Sequence, residues 1–200
     1  MAKLLKPFYT GDDVVLIAQA LLGKKLLTQI NGVITSGYIT ETEAYRGWGD
    51  KACHASMGKK TERNKIMYED GGRAYVYLCY GIHHLFNIVT NSKDNADAVL
   101  IRAIEPAEGV AVMLKRRNMK EPKYNLTSGP GSLSKAMGIS INHSGQALIG
   151  DTIWLEDDGR DVPTKQIIKS PRVGVAYAGA DAKLPWRFRI KGSKWLSPAK

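Results

Sequence analysis

A carboxylate can take a proton from water or steady a growing positive charge, and the run Ile39-Thr-Glu-Thr-Glu-Ala-Tyr45 offers two of them beside an aromatic ring. As a strand, this run puts Glu41, Glu43 and Tyr45 on one face and Thr40, Thr42 and Ala44 on the other. A plain solvated strand face would look the same, but the sequel Arg46-Gly-Trp-Gly-Asp50 is a glycine-rich exit that lets backbone approach a ligand. A second alternating run, Arg73-Ala-Tyr-Val-Tyr-Leu-Cys-Tyr80, sets Tyr75, Tyr77 and Cys79 opposite Val76, Leu78 and Tyr80. Tyrosines in such a strand suit ordinary core packing. They would equally let Tyr45 and Tyr77, one from each strand, hold a flat ring between them. Tyr80, beside Gly81, stands where a turn tip would present a wedge rather than a core residue.

Metal chemistry is the other possibility raised by residue type, because Cys53-His54 and Cys79 with His83-His84 supply suitable ligands. Their spacing does not fit the paired cysteines or histidines of structural zinc sites, so no metal is expected. No glycine-rich phosphate-binding motif is present, so no nucleotide cofactor is expected either. Two cysteines, no signal-peptide pattern and no apolar run long enough to cross a bilayer point to a reducing cytosol with two free thiols.

The formal net charge of +10 makes a polyanion the natural partner. From Arg160 onward the basic residues are Arg160, Lys165, Lys169, Arg172, Lys183, Arg187, Arg189, Lys191, Lys194 and Lys200, against only Asp161 and Asp181, a tail that could line one face.

The elements that must position these groups are legible from periodicity. Val14, Ile17, Ala18, Leu21 and Leu22 have helical spacing within Asp12 to Gly23, with Asp12 or Asp13 as N-cap. Lys24 to Ile30, the turn Asn31-Gly32 and Val33 to Tyr45 form a hairpin pattern. Trp48 to Asp70 is a polar loop with one short helix at most. Strands come next at Arg73 to Tyr80, Leu85 to Thr90 and Ala98 to Ile104, then a helix from about Ala107 to Asn118. Thr127 to Ser132 leads into a short helix near Leu133 to Met137, with strands at Thr152 to Leu155 and Arg187 to Ile190. This predicts one mixed α+β domain over residues 1–200, a mostly antiparallel sheet flanked by helices.

Five motifs then occur in register: Glu41-Thr-Glu-Ala-Tyr45 with Asp50-Lys-Ala-Cys-His54, Tyr75-Val-Tyr-Leu-Cys-Tyr-Gly81, Asn87, Val99-Leu-Ile-Arg-Ala-Ile-Glu-Pro106 and Ser128-Gly-Pro130. In order and spacing the chain resembles the alkyladenine (3-methyladenine) DNA glycosylase family from about Phe8 to Trp195. The resemblance implies a single domain with a curved, mostly antiparallel sheet. It implies base excision repair: a monofunctional glycosylase flips an alkylated or deaminated purine from duplex DNA and hydrolyses its N-glycosidic bond, leaving an abasic site. 3-Methyladenine, 7-methylguanine, hypoxanthine and ethenoadenine are the expected substrates.

By the same resemblance Glu43 is the general base for the attacking water, and Tyr45, His54 and Tyr77 form the pocket for the flipped base. Tyr80 is the residue inserted into the duplex, Asn87 disfavours guanine's exocyclic amine, and Arg102 helps hold the water or a phosphate. Ile82, His83 and His84 differ from the bulky residues that stand after the wedge in animal members, and the chain starts close to the family's first helix, without their long N-terminal extension. A bacterial, cytoplasmic, nucleoid-associated monomer is implied, acting on double-stranded DNA without membrane, metal or cofactor. Two rival readings remain. A non-enzymatic nucleic-acid-binding module would use the tyrosines as stacking platforms and leave Glu41 and Glu43 as surface charges. A carbohydrate hydrolase would use Glu41 and Glu43 as its acid pair, although residues two apart on one strand do not flank a bond.

Overall fold

The computed structural model describes residues 2–198 and organises them around one antiparallel sheet. Its strands are β1 (Ala2–Lys3), β2 (Lys25–Ile30), β3 (Val33–Tyr45), β4 (Ala74–Cys79), β5 (His83–Thr90), β6 (Asp97–Glu108), β7 (Ile153–Asp157), β8 (Ile167–Ser170) and β9 (Arg187–Ile190). The α-helices are α1 (Lys6–Tyr9), α2 (Val14–Ala20), α3 (Val110–Arg117) and α4 (Pro130–Met137). Along the main path the strand order is β1-β7-β2-β3-β6-β5-β4, and the α+β class read from the sequence is the one the protein has.

β3 is the hub. On one side it pairs with β6 from Ser36 to Tyr45. On the other, Val33 to Tyr38 pair with β2, while Glu41, Thr42 and Glu43 pair with β9. The ladder with β6 is irregular where the chemistry sits. Ile39 faces Ile104, Glu41 faces Ala103 and Thr42 faces Ile101, so Thr40 and Arg102 are each an extra residue on their strand. A bulge of this kind re-aims a side chain, and here it delivers Arg102 between Glu41 and Glu43.

Alternation divides the sheet into two faces. Val76, Phe86, Ile88, Val99, Ile101 and Ile104 join the main core under the helices, with Leu133 and Met137 of α4 and Ile17 of α2. Tyr75, Val89 and Ala98 point the other way and pack against Cys53, Ala55, Met67 and Tyr68 of the loop after β3. That loop, polar in composition, is held by this smaller cluster and by two 3-10 turns, Ser56–Gly58 and Lys65–Tyr68, where the sequence suggests one short helix.

Local chemistry accounts for the helix ends. Asp13 Oδ1 accepts from the backbone N–H of Val15 (2.9 Å) and Leu16 (3.1 Å), a cap worth about 1 kcal/mol. α2 closes at Ala20, and Gly23 turns the chain with φ of 83°. β6 runs on to Glu108, so α3 starts at Val110 rather than near Ala107, because edge pairing with β3 outweighs helical propensity there. α4 begins at Pro130, whose fixed φ suits the first turn, ahead of the expected Leu133. β1, α1 and β8 carry too few residues to show a period. Among the described residues no helix is long and apolar enough to cross a membrane.

The basic tail is not one uniform face. Arg172 and Arg187 are buried in ion pairs, with Asp50 and Glu41 respectively, while Lys200 lies outside the described residues.

Candidate active site

On the sheet face away from the helices, Tyr75, Tyr77, Asn87, Ala98 and Leu100 open onto a cavity of about 650 Å³, within the usual range for a small-ligand site. The loop after β3 forms one wall through Ala52, Cys53 and His54, and Gly129 with the first turn of α4 forms another. Of the residues singled out in the sequence, Tyr45, His54, Tyr77, Tyr80, Asn87 and Arg102 all line this cavity. Glu43 does not. It is fully buried one layer below, bonded to three groups whose residues do line it.

The aromatic wall is held by its own contacts. The His54 ring meets Tyr77 edge-on with centroids 4.6 Å apart, and its Nδ1 is 2.9 Å from the Tyr75 hydroxyl. Burial pushes the His54 pKa down to about 4, with the nearby Arg63 cation adding to it, so the imidazole is neutral at physiological pH. Arg63 stands 4.9 Å from the centre of the Tyr77 ring at the cavity wall. Asn87 is fixed by two bonds from its Nδ2, to the carbonyls of Tyr75 (3.1 Å) and Leu85 (3.3 Å), so it cannot swing aside.

The polar floor separates the two carboxylates of β3. Glu41 receives Arg102 Nε (2.9 Å), Arg187 Nε (2.6 Å) and the Ser197 hydroxyl (2.7 Å) on Oε1 and the Ser197 backbone N–H (2.6 Å) on Oε2, and neither Arg187 nor Ser197 lines the cavity. Glu43 receives the Tyr45 hydroxyl (2.8 Å) and Arg102 Nη1 (3.3 Å) on Oε2 and the Val173 N–H (2.8 Å) on Oε1, all from residues that line the cavity. Burial and the Glu43 charge both push the Tyr45 pKa well up, so its hydroxyl stays a donor to Glu43. The reading of Glu41 and Glu43 as solvated surface charges is corrected: both are fully buried and paired with arginine.

Below Tyr45 lies a second buried pair. Arg172 donates to both oxygens of Asp50 and to the Ala44 carbonyl, and its guanidinium stands 4.8 Å from the Tyr45 ring centre. Asp50 also accepts from the Ala52 N–H at 3.0 Å, which fixes the glycine-rich exit from β3. A side chain at Gly47 would meet the Ala96 carbonyl at 2.8 Å, so glycine is needed for that approach.

At the mouth, Tyr80 is 89% exposed at the tip of the β4–β5 hairpin, with φ of 51°. Both cysteines are free; burial pushes the Cys53 thiol up to about 12, so it stays protonated, while Cys79 lies at the cavity wall. Among the described residues no group of three His, Cys, Asp or Glu side chains is placed to hold a metal ion.

Sequence reasoning missed Tyr75, Val173, Arg172, Arg187 and Ser197 as parts of the site. Tyr75 had a signal, since alternation puts it on the face of Tyr77. The other four come from segments more than a hundred residues from β3, and only tertiary structure brings them in.

Comparison with known proteins gives this architecture its relatives. The model of the family described as methylpurine-DNA glycosylase matches residues 8–194. A protein of Chlamydia felis is 47% identical over 190 residues, covering 94% of this chain and 96% of its own. One from Bacillus cytotoxicus is 42% identical, covering 96% and 97%. One from Chlorobaculum tepidum is 45% identical, covering 98% and 91%. All three carry the provisional name 3-methyladenine DNA glycosylase. The chain belongs to the methylpurine-DNA glycosylase family.

Proposed function

We propose that this DNA repair glycosylase draws a damaged purine out of the duplex into the 650 Å³ cavity and hydrolyses its N-glycosidic bond with Glu43 as the base for water. The observation that carries the reading is the difference between the two carboxylates, because every group bonded to Glu43 belongs to a residue that lines the cavity, whereas Glu41 is bonded by Arg187 and Ser197, which do not. A duplex hides the glycosidic carbon, so extrusion comes first, and damaged or mispaired bases unstack at lower cost. The flipped ring stacks against Tyr45 and Tyr77 beside His54. Alkylation at a ring nitrogen makes 3-methyladenine and 7-methylguanine cationic, which favours tyrosine faces and improves the leaving group. Hypoxanthine and ethenoadenine are neutral and need a proton on the departing base.

Displacement at C1′ passes through an oxocarbenium-like state. Glu43 takes the water's proton and steadies the cation that develops, while Arg102 holds Glu43 in place. No lysine nucleophile enters, so the product is an abasic site on an uncut strand. Asn87, pinned to two carbonyls, gives a fixed volume where guanine would carry its exocyclic amine. Tyr80 fills the gap left in the stack.

Glu43→Gln keeps the shape and removes the charge. Single-turnover base release should fall by roughly 10²- to 10⁴-fold, with lesion-duplex affinity kept within a few-fold. Release at close to the wild-type rate would sink the assignment. Glu43→Gln and Glu41→Gln each remove one member of a buried ion pair, at about 3–5 kcal/mol of stability, so release is compared per folded protein. A protein that binds lesion DNA but releases no base would instead be the non-enzymatic binding module.

A further inference from the structure

Ser197 is a surprising member of the floor, being the residue through which all the other buried charges at Glu41 meet. The segment Trp195–Ser197 is anchored against β3 by the Thr40 hydroxyl, which donates to the Trp195 carbonyl, and by Trp195 packing on the core. Ser197 is 5% exposed. Its hydroxyl donates to Glu41 Oε1 (2.7 Å) and accepts from Arg102 Nη2 (3.0 Å), Arg102 Nε (3.3 Å) and Arg187 Nη2 (3.3 Å).

A guanidinium is planar and rigid, so holding two of its nitrogens fixes the third. For Arg102, Nε is held by Glu41 and Nη2 by Ser197, which leaves Nη1 aimed at Glu43 across 3.3 Å. That last contact is the longest of the three and has no other partner to enforce it. We propose that Ser197 is a positioning residue for base release: its hydroxyl sets the plane of the Arg102 guanidinium, and through it the orientation of Glu43. The inference rests on reading Glu43 as the general base.

Besides Arg102, Glu43 faces the Tyr45 hydroxyl on β3 and the Val173 N–H, with the Arg172 cation and the Tyr77 hydroxyl as its further electrostatic neighbours. Those groups stay in place when the Ser197 hydroxyl is removed. Ser197→Ala also keeps the backbone N–H that binds Glu41 Oε2, so the ion cluster loses one junction and no charge.

The test compares intact wild type, Ser197→Ala, Ser197→Thr and Glu43→Gln on a duplex carrying one 7-methylguanine, a base already cationic, so that protonation of the leaving base does not enter the rate. Single-turnover release, lesion-duplex affinity and thermal midpoint are read together. Ser197→Ala should slow release by roughly 10- to 100-fold, the size of effect expected from a misplaced catalytic group. Affinity should stay within about twofold, and Ser197→Thr, which keeps the hydroxyl, should restore most of the rate. A wild-type rate in Ser197→Ala overturns the proposal. So does a loss of rate that only tracks the loss of folded protein, or one that a fully folded Ser197→Thr leaves unrestored. If Glu43→Gln is inactive while Ser197→Ala is unaffected, the role of Ser197 alone fails; if Glu43→Gln is active, the reading beneath it fails first.

Discussion

Two hairpin tips in this protein each hold two successive residues at positive φ, and differ in the residue that must adopt the first of them. At the β2–β3 tip, Asn31 and Gly32 have φ of 53° and 74°; at the β4–β5 tip, Tyr80 and Gly81 have 51° and 72°. Asparagine visits this left-handed region readily because its short polar side chain bonds locally, and Asn-Gly is the favoured pair for such turns. Tyrosine has no such help, and the conformation costs an ordinary L-residue roughly 1–2 kcal/mol. Nor does burial offset the cost, since Tyr80 is 89% exposed and its neighbour Ile82 72%. The first tip is explained by folding alone; the second holds a strained aromatic over the mouth of the cavity, which is where strain serves a function.

The largest test of that contrast removes the ring. Tyr80→Ala keeps the turn's strain and deletes the stacking surface, so lesion-duplex binding and the flipped fraction should fall by about 1–3 kcal/mol, the usual worth of one base–aromatic stack. Single-stranded substrate should be much less affected. Fluorescence of a lesion base that reports wild-type flipping in this variant would make the two tips equivalent and the strain at Tyr80 unexplained.

The same contrast shows what a sequence can and cannot disclose. Asn31-Gly32 is legible as a turn because its residues prefer the conformation they adopt, and β3 because its flanks and its alternation agree. The face shared by Glu41, Glu43 and Tyr45 is legible for the same reason. What alternation does not contain is the depth of burial. An E-T-E run looks the same whether its carboxylates meet water or, as here, two arginines and Ser197. Nor does it contain the bulge at Arg102, which depends on how β6 registers against β3. Motif order supplies what local physics does not: it points to His54, Asn87 and Arg102, and the geometry gathers them at one cavity with Tyr45 and Tyr77. The residues that brace them from afar, Arg172, Arg187 and Ser197, have no local signature, and by charge alone the two arginines belong to a phosphate-facing tail.

A smaller effect is expected at the ordinary tip. Asn31→Ala places a residue without a local hydrogen-bonding side chain in the same left-handed conformation, and should lower folding stability by about 1 kcal/mol. Lesion binding and base release should not change once folded protein is equalised, because this tip lines no part of the cavity. Denaturant unfolding and single-turnover release measure the two quantities separately. A loss of lesion affinity in this variant would mean that the β2–β3 tip also meets DNA.

The smallest effect is the most discriminating, because it should carry opposite signs for folding and for function. Tyr80→Asn gives the β4–β5 tip the residue pair that its backbone already favours, relieving left-handed strain without touching the core or the floor. Stability should rise by up to about 1 kcal/mol, read as a shift of the denaturant midpoint at unchanged slope. Lesion-duplex affinity and flipping should fall as they do in Tyr80→Ala, because asparagine offers no ring to occupy the vacated stack. Release from a single-stranded substrate, which needs no wedge, should stay close to wild type, so the cavity itself is shown intact by the same protein. Were Tyr80→Asn to lower stability instead, Tyr80 would be making contacts that favour the folded state, and its exposed, left-handed geometry would be a packing outcome rather than a feature kept for DNA. Were stability to rise with flipping unchanged, the strain would have no function at this tip, and the wedge would have to be sought in Ile82 or Leu78 beside it, both exposed on the same hairpin.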